Sequence, residues 1–224
     1  MALLHPIPVF FDGPVGKREG LLGLPESLTD EPENVGEPRA LAVVCHPHPS
    51  HGGTMHNTVV YRVAKGLRRA GLAVLRFNFR GVDNSGGDHH GEGDEEEDAS
   101  AAIDFLMERY PRVPLWAGGF SFGSRTIAGL APRDSRIERV FFIALPISVY
   151  ECKPIVDVKQ PGLMLFAGKD DFGTSKLLRE KFPHLGPHLE VDEIPDTDHF
   201  FRGQTPVLEE RVRAWAVRSL ESRD

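Results

Sequence analysis

Short apolar runs alternate with helical patterns along this 224-residue chain. The run ALAVVCH at residues 40–46 precedes a stretch in which Val59, Val63 and Leu67 recur one helical turn apart. Further strand-like runs follow toward the C-terminus: LAVLRFNF, VPLWAGGF, RVFFIALPI, PGLMLFAG and HLEVDEI. Because apolar strands that alternate with helices form parallel sheets, the pattern predicts an α/β fold with helices on both faces of a mostly parallel sheet.

We expect a single domain over residues 1–224, since the chain has neither an internal repeat nor a long linker. The N-terminal segment with Phe10 and Phe11 is predicted to form an edge strand. The net charge is −7, and no concentrated basic stripe is present. This charge distribution argues against nucleic acid and against a membrane surface as partners.

A cytoplasmic location is expected from the start of the chain and from its cysteines. The first residues lack a basic segment and are interrupted by Pro6 and Pro8, which makes a poor signal peptide. No apolar run approaches the roughly 20 residues that a membrane span needs. The two cysteines, Cys45 and Cys152, are too few for a disulfide scaffold and are expected to be buried free thiols.

The segment Gly119-Phe120-Ser121-Phe122-Gly123 matches the pattern G-x-S-x-G between an apolar strand and a helix. In this pattern a sharp turn lifts the serine hydroxyl above the sheet, and the glycines pass too close to neighbouring chain for a side chain. The alternative is that the glycines make a tight turn and Ser121 only caps the helix. The context favours a nucleophile.

A serine nucleophile needs a base, and the base needs an orienting acid. Downstream, Asp170 and Asp171 follow one strand and His199 follows another. Each position has an ordinary structural explanation by itself. The order Ser, Asp, His at the ends of separate strands is typical of nucleophile-elbow hydrolases.

Five motifs together resemble the α/β-hydrolase superfamily and, more narrowly, a bacterial group of small α/β hydrolases. These motifs are HPHPSHGGTMHN, RFNFRGVDNSGG, GGFSFG, AGKDD and DHFF. The resemblance implies the α/β-hydrolase fold, with Ser121 as the nucleophile and His199 as the general base. It also favours Asp171, three residues after Gly168, as the acid, with Asp170 as the alternative.

The resemblance places two main-chain amides at the oxyanion site, those of Phe122 and His48. His48 is preferred in its loop because Pro47 and Pro49 have no amide hydrogen. Three side chains are candidates for lining the substrate site: His51, Phe120 and Phe200.

The expected activity is the cleavage of small acyl esters through an acyl-enzyme, without metal or organic cofactor. Thioesters, lactones and amides are alternatives on the same triad. Only a short interval separates the strand that ends near Leu145 from the strand that begins near Gly162, so no sizeable cap domain is predicted. The site is therefore expected to be shallow, or covered by a partner subunit in a homodimer.

A zinc-dependent hydrolase is the rival hypothesis, because His46, His48 and His51 have the spacing H-x-H-x-x-H. Ser50 stands where metallo-β-lactamase-type enzymes carry an aspartate, which weakens this hypothesis. A non-catalytic binding protein on a hydrolase scaffold is a third possibility.

The acidic, histidine-rich loop at residues 86–98 departs from the group pattern, and the run at residues 94–98 is expected to form a solvated face. Arg80 is expected to tether its loop, and contact of Asn78 and Arg80 with substrate is the alternative.

Overall fold

The computed structural model of the protein describes residues 5–25, 37–90 and 93–222. Residues 1–4 of the N-terminal segment and residues 91–92 of the acidic loop, both subjects of the predictions above, lie outside that part.

Eight strands form one sheet in the order β1-β2-β4-β3-β5-β6-β7-β8. The strands are β1 (Ile7–Gly13), β2 (Gly16–Gly23), β3 (Ala40–Cys45), β4 (Leu72–Phe77), β5 (Leu115–Phe120), β6 (Ile137–Ile143), β7 (Gly162–Ala167) and β8 (Leu189–Ile194). Strand β2 runs antiparallel to both of its neighbours, and the strands from β4 to β8 pair in parallel. The predicted mostly parallel sheet is confirmed, and β1 is the edge strand expected around Phe10.

Helices cover both faces of this sheet, as predicted. They are α1 (Thr58–Arg69), α2 (Glu95–Arg109), α3 (Phe122–Leu130), α4 (Ser175–Lys181) and α5 (Thr205–Glu221). Helices α1 and α5 pack on one face, and α2, α3 and α4 on the other, so that the core has two layers. Among the described residues, no helix is both long enough and apolar enough to cross a bilayer.

Strand β2 is an element that the apolar pattern does not reveal, because its sequence GKREGLLG begins with charged residues. One of these charges, Arg18, is completely buried. Its guanidinium lies 2.9 Å from a carboxylate oxygen of Asp98 on α2.

Asp98 also holds Arg80, in the loop that follows β4. It accepts hydrogen bonds from the Arg80 main-chain N–H at 2.8 Å and from the Arg80 guanidinium at 2.9 Å. Arg80 therefore tethers its loop, as expected. Asn78 does the same, since its side chain bonds Glu19, Asp83 and the main-chain N–H of Met55.

The prediction that residues 94–98 form a solvated face is wrong for two of them. Glu95 and Asp98 are fully buried. They lie three residues apart in the first turn of α2, on the face that packs against the sheet. Glu95 accepts a 2.6 Å hydrogen bond from His89, and Asp98 holds the two arginines.

We predict that Asp98→Asn lowers the free energy of unfolding by about 3–5 kcal/mol, because it leaves Arg18 and Arg80 without their buried counter-charge. Urea denaturation of the variant and the wild type measures the change. Glu97→Gln is the matched control, since Glu97 also pairs with Arg80 but its side chain is 62% exposed. The control is expected to lose less than about 1 kcal/mol, and equal losses in both variants would contradict the role given to burial.

Candidate active site

Ser121 occupies a sharp turn between the end of β5 and the start of α3. Its backbone has φ 54° and ψ −116°, a region that residues with a side chain rarely adopt. The turn passes directly against the end of β3. A Cβ atom at Gly123 would lie 2.4 Å from the carbonyl oxygen of Cys45, and one at Gly119 would lie 2.7 Å from the same atom. The two glycines of the motif are therefore steric requirements of the fold.

Ser124 fixes this turn to the sheet. Its buried hydroxyl lies 2.5 Å from the carbonyl oxygen of Gly119 and accepts a 2.9 Å hydrogen bond from the N–H of Ile143 on β6. The N–H of Ser121 donates to the carbonyl oxygen of Ile143 at 2.9 Å. Sequence reasoning missed Ser124, whose only signal is a small hydroxyl residue directly after the motif.

Ser121, His199 and Asp170 form one continuous hydrogen-bonded chain. The Oγ of Ser121 lies 2.9 Å from Nε2 of His199, and Nδ1 of His199 lies 2.7 Å from Oδ2 of Asp170. Asp170 and His199 are both buried. Because a carboxylate only accepts hydrogen bonds, Nδ1 carries the proton and Nε2 is free to accept the serine proton. Oδ1 of Asp170 accepts from the N–H of Phe172 at 2.8 Å, which orients the carboxylate.

The expectation that Asp171 contacts His199 is corrected to the alternative, Asp170. Strand β7 ends at Ala167, one residue before Gly168. The position of the acid had been counted from Gly168. The N–H of Asp170 bonds the carbonyl oxygen of Ala167 and closes a turn that directs this side chain inward. Asp171 is exposed, and its carbonyl oxygen accepts a hydrogen bond from Ser148.

The main-chain amides of Phe122 and His48 belong to two segments that contact each other beside Ser121. Phe122 is the first residue of α3, where helix N–H groups have no intrahelical acceptor. His48 lies in the loop after β3, and its ring packs on the Phe122 ring with centroids 4.8 Å apart. Within residues 5–25, 37–90 and 93–222, neither amide donates a hydrogen bond. Both amides are therefore without an acceptor among the described residues.

His46 is a structural residue whose two ring nitrogens are both engaged. Nε2 accepts the N–H of Phe79 at 3.0 Å, so Nδ1 carries the proton and donates to the carbonyl oxygen of Pro47 at 2.6 Å. Burial lowers the pKa of His46 from 6.5 to about 4. His46, the first ligand in the zinc hypothesis, therefore has no ring nitrogen free to bind a metal ion. In the described part of the chain, no three histidine, cysteine, aspartate or glutamate side chains are arranged to hold a metal ion.

A pocket of about 290 Å³ opens beside Ser121. Its walls are formed by Pro47, His48, His51, Gly52, Gly53, Asn57, Ser121, Phe122, Pro146, Val149, Tyr150, Phe172, His199 and Phe200. The structure thus places His51 and Phe200 on the wall. The expectation for Phe120 is corrected, because this ring is fully buried and packs behind the imidazole of His199 with centroids 5.0 Å apart.

Among the residues that the structure describes, none form a cap domain over the pocket. Residues 144–161, which connect β6 to β7, contain one short 3-10 turn at Lys153–Asp157. This agrees with the prediction made from the short interval in the sequence.

Residues 50–190 match the sequence profile of the alpha/beta hydrolase fold family. The chain belongs to the α/β-hydrolase family. It is 31% identical to the uncharacterized protein RP471 of Rickettsia prowazekii (strain Madrid E), over 93% of this chain and 88% of that protein.

Two solved structures are similar to this hydrolase over nearly its whole length. An alpha-beta serine hydrolase homologue from Coxiella burnetii has a TM-score of 0.84 and 28% identity, with 98% of this chain and 100% of the other covered. XC6422 from Xanthomonas campestris, described as an α/β serine hydrolase without lid, has a TM-score of 0.80 and 30% identity, with coverages of 98% and 96%.

We predict that protonation of His46 contributes to acid unfolding of this hydrolase. The folded protein holds His46 neutral down to about pH 4, whereas the unfolded chain binds a proton near pH 6.5. The associated stability is present above pH 6.5 and is lost as the pH falls toward 4, by about 3 kcal/mol in total.

The measurement is urea denaturation between pH 4 and pH 8, with His46→Gln as the comparison because glutamine does not titrate. The variant is expected to be less stable at pH 8 and to show a flatter pH dependence. If the free energy of unfolding changes with pH equally in the two proteins, His46 is not the group that causes the loss of stability in acid.

Proposed function

We propose that this α/β hydrolase is a serine carboxylesterase that cleaves small acyl esters through a Ser121–His199–Asp170 triad. The observation that carries the proposal is the hydrogen-bonded chain from Ser121 Oγ to His199 at 2.9 Å and from His199 to Asp170 at 2.7 Å, at the mouth of a pocket. A nucleophile, a base and an orienting acid in this geometry are the components of acyl transfer.

In the proposed mechanism, Nε2 of His199 takes the proton of Ser121 as Oγ attacks the ester carbonyl. The carboxylate of Asp170 stabilises the imidazolium that forms. The amides of Phe122 and His48 donate to the oxyanion of the tetrahedral intermediate, and loss of one such donor typically costs about 10²–10³ in rate. His199 then gives its proton to the leaving alkoxide, and the acyl group remains on Ser121.

Deacylation repeats these steps with water as the nucleophile. His199 takes a proton from the water, the hydroxide attacks the acyl carbonyl, and the proton returns to Oγ of Ser121 as the acid leaves. No other proton carrier is needed, so the triad alone completes the cycle.

The size and openness of the pocket favour short acyl groups. A volume of about 290 Å³ lies just below the range of roughly 300–1,000 Å³ found for small-molecule sites. The described residues form no cap domain that would extend the pocket wall, so a long chain would find little apolar surface beyond the pocket itself. Thioesters, lactones and small amides use the same steps and are alternatives, which a panel of acyl substrates with graded length separates.

A cytoplasmic location is part of the same proposal. Both cysteines are buried free thiols, and burial raises the pKa of each, that of Cys152 to about 11. Unpaired thiols are usual in reducing compartments. The homodimer stays a prediction, and size-exclusion chromatography with light scattering tests it.

We predict that a fluorophosphonate probe labels Ser121 and that Ser121→Ala abolishes both labelling and ester hydrolysis. Mass spectrometry of the labelled peptide identifies the residue. Ser148→Ala is the matched control, because Ser148 is an exposed serine on a neighbouring loop. Labelling that persists in the Ser121→Ala protein, or activity that persists with it, would refute the proposed nucleophile.

The two aspartates give a second test, because they are adjacent in the chain and differ in their contacts. Asp170→Asn is expected to lower kcat by about 10⁴, since an amide at this position favours the wrong imidazole tautomer. Asp171→Asn is expected to remain within about threefold of the wild type, since an exposed surface change away from the triad has little effect. A larger loss at Asp171 would overturn the assignment.

A further inference from the structure

Arg125 lies one helical turn after Ser121 on α3, and its N–H donates to the carbonyl oxygen of Ser121 at 3.1 Å. Helical side chains lean toward the N-terminus of their helix and share a face with the residue four positions earlier. The Arg125 side chain follows this rule. Its guanidinium carbon lies 5.6 Å from the ring centroid of Phe122 and 5.2 Å from that of Tyr150, and both rings line the pocket.

The Arg125 guanidinium has neither an ion pair nor a hydrogen bond to any residue in the described ranges. This differs from Arg80, which pairs with three carboxylates, and from Arg136, which pairs with two. The chain carries 33 acidic residues against 26 lysines and arginines, so carboxylates are abundant. A half-buried guanidinium left without one, beside the pocket, is available for a ligand.

The pocket wall itself carries no aspartate, glutamate, lysine or arginine among its fourteen residues. Its ionisable groups are histidines and Tyr150. The carboxylate of Asp170 lies behind His199 and is occupied by that imidazole and by the N–H of Phe172. No wall carboxylate therefore opposes an anionic ligand.

The charge of Arg125 acts on pocket residues. Burial lowers the pKa of His48, and Arg125 lowers it further, whereas the carboxylate of Glu95 opposes the decrease. Burial raises the pKa of Tyr150, and Arg125 opposes that rise. The Tyr150 hydroxyl, like the guanidinium, makes no hydrogen bond to a described residue, so two unused donors lie on the same side of the pocket.

Arg125 lies on the side of the pocket where the acyl group would extend. The leaving alkoxide must face His199, because His199 protonates it. The rings around His199 are those of Phe120, Phe172 and Phe200. Arg125 contacts a different pair of rings, those of Phe122 and Tyr150, so the end of the acyl chain and not the alcohol would reach it.

We propose that Arg125, together with the hydroxyl of Tyr150, binds a carboxylate at the end of the acyl group, so that the preferred substrates are half-esters of short dicarboxylic acids. This inference rests on the proposed ester hydrolysis. A guanidinium matches the two oxygens of a carboxylate with paired N–H donors. The aromatic rings on either side lower the local dielectric and strengthen that contact.

The test compares monomethyl esters of succinic, glutaric and adipic acids with neutral esters, the methyl esters of the monocarboxylic acids of equal chain length. Hydrolysis is followed by proton release. The wild type is expected to favour at least one half-ester over its neutral partner by about tenfold or more in kcat/KM, the factor that a charged hydrogen bond commonly contributes.

Arg125→Met, which keeps length without charge, is expected to remove this preference by raising KM for the half-ester. Arg125→Lys should keep part of the preference, because it retains the charge and loses the paired donors. Tyr150→Phe should reduce the preference in the same direction. In Arg125→Met, whose side chain lies outside the pocket wall, the rates for the neutral esters and for labelling of Ser121 by a neutral fluorophosphonate are expected to stay within about threefold of the wild type.

A wild type that shows no preference for any half-ester would overturn the proposal. An Arg125→Met protein that loses both substrate classes equally would also overturn it, since the residue would then act on folding or on the elbow. Added NaCl should raise KM for the half-ester alone, because salt screens the contact.

Binding measurements distinguish failure of the proposed ester hydrolysis from failure of the role given to Arg125. If neither labelling nor hydrolysis occurs, calorimetry of monomethyl glutarate and of the neutral methyl pentanoate with the wild type and Arg125→Met still decides the role of Arg125. Tighter binding of monomethyl glutarate that Arg125→Met removes would support the anion site. Equal or absent binding of the two esters would refute it.

Discussion

The close approach of β3 to the turn after β5 is the constraint on which the rest of the site depends. The carbonyl oxygen of Cys45 lies where any side chain at Gly119 or Gly123 would have to go. The chain can make this turn only by placing Ser121 at positive φ, a conformation that costs of order 1–3 kcal/mol. The hydrogen bonds of Ser124 and Ile143 hold it there. The serine hydroxyl is consequently raised above the sheet at the N-terminus of a helix.

The order of the strands then brings Asp170 and His199 to the edge of the sheet that carries Ser121. Strands β5, β6, β7 and β8 are consecutive neighbours in the sheet, so the loops that follow β7 and β8 meet above it. The N–H of Lys169 donates to the carbonyl oxygen of Thr197 and joins those two loops. Asp170 and His199 are thus positioned by main-chain contacts, and the rings packed around His199 limit its movement. The edge of the sheet therefore sets the geometry of the proposed triad.

Sequence patterns predicted most of this architecture, because strand and helix periods differ and because parallel strands share an edge. The sequence patterns gave wrong predictions where a shift of one residue, or a partner distant in the sequence, decides where a side chain lies. Asp170 and Asp171 differ only in where β7 ends, which depends on pairing with its neighbours. Phe120 is adjacent to the serine, but successive strand residues point to opposite faces, and this ring falls on the side that packs behind His199. Asp98 appeared solvated because its partners, Arg18 and Arg80, are distant in sequence.

Reactive groups and specificity groups lie on different parts of the fold. The groups that would perform the chemistry are attached to the ends of β5, β7 and β8, whose core packing tolerates little change. The opposite wall, with Val149 and Tyr150, belongs to the connection between β6 and β7, and Arg125 lies on a half-buried face of α3. These positions can change without disturbing the sheet. Structures with 28% and 30% identity share the framework with this chain, whereas the substrate of each protein must be inferred from its own pocket wall.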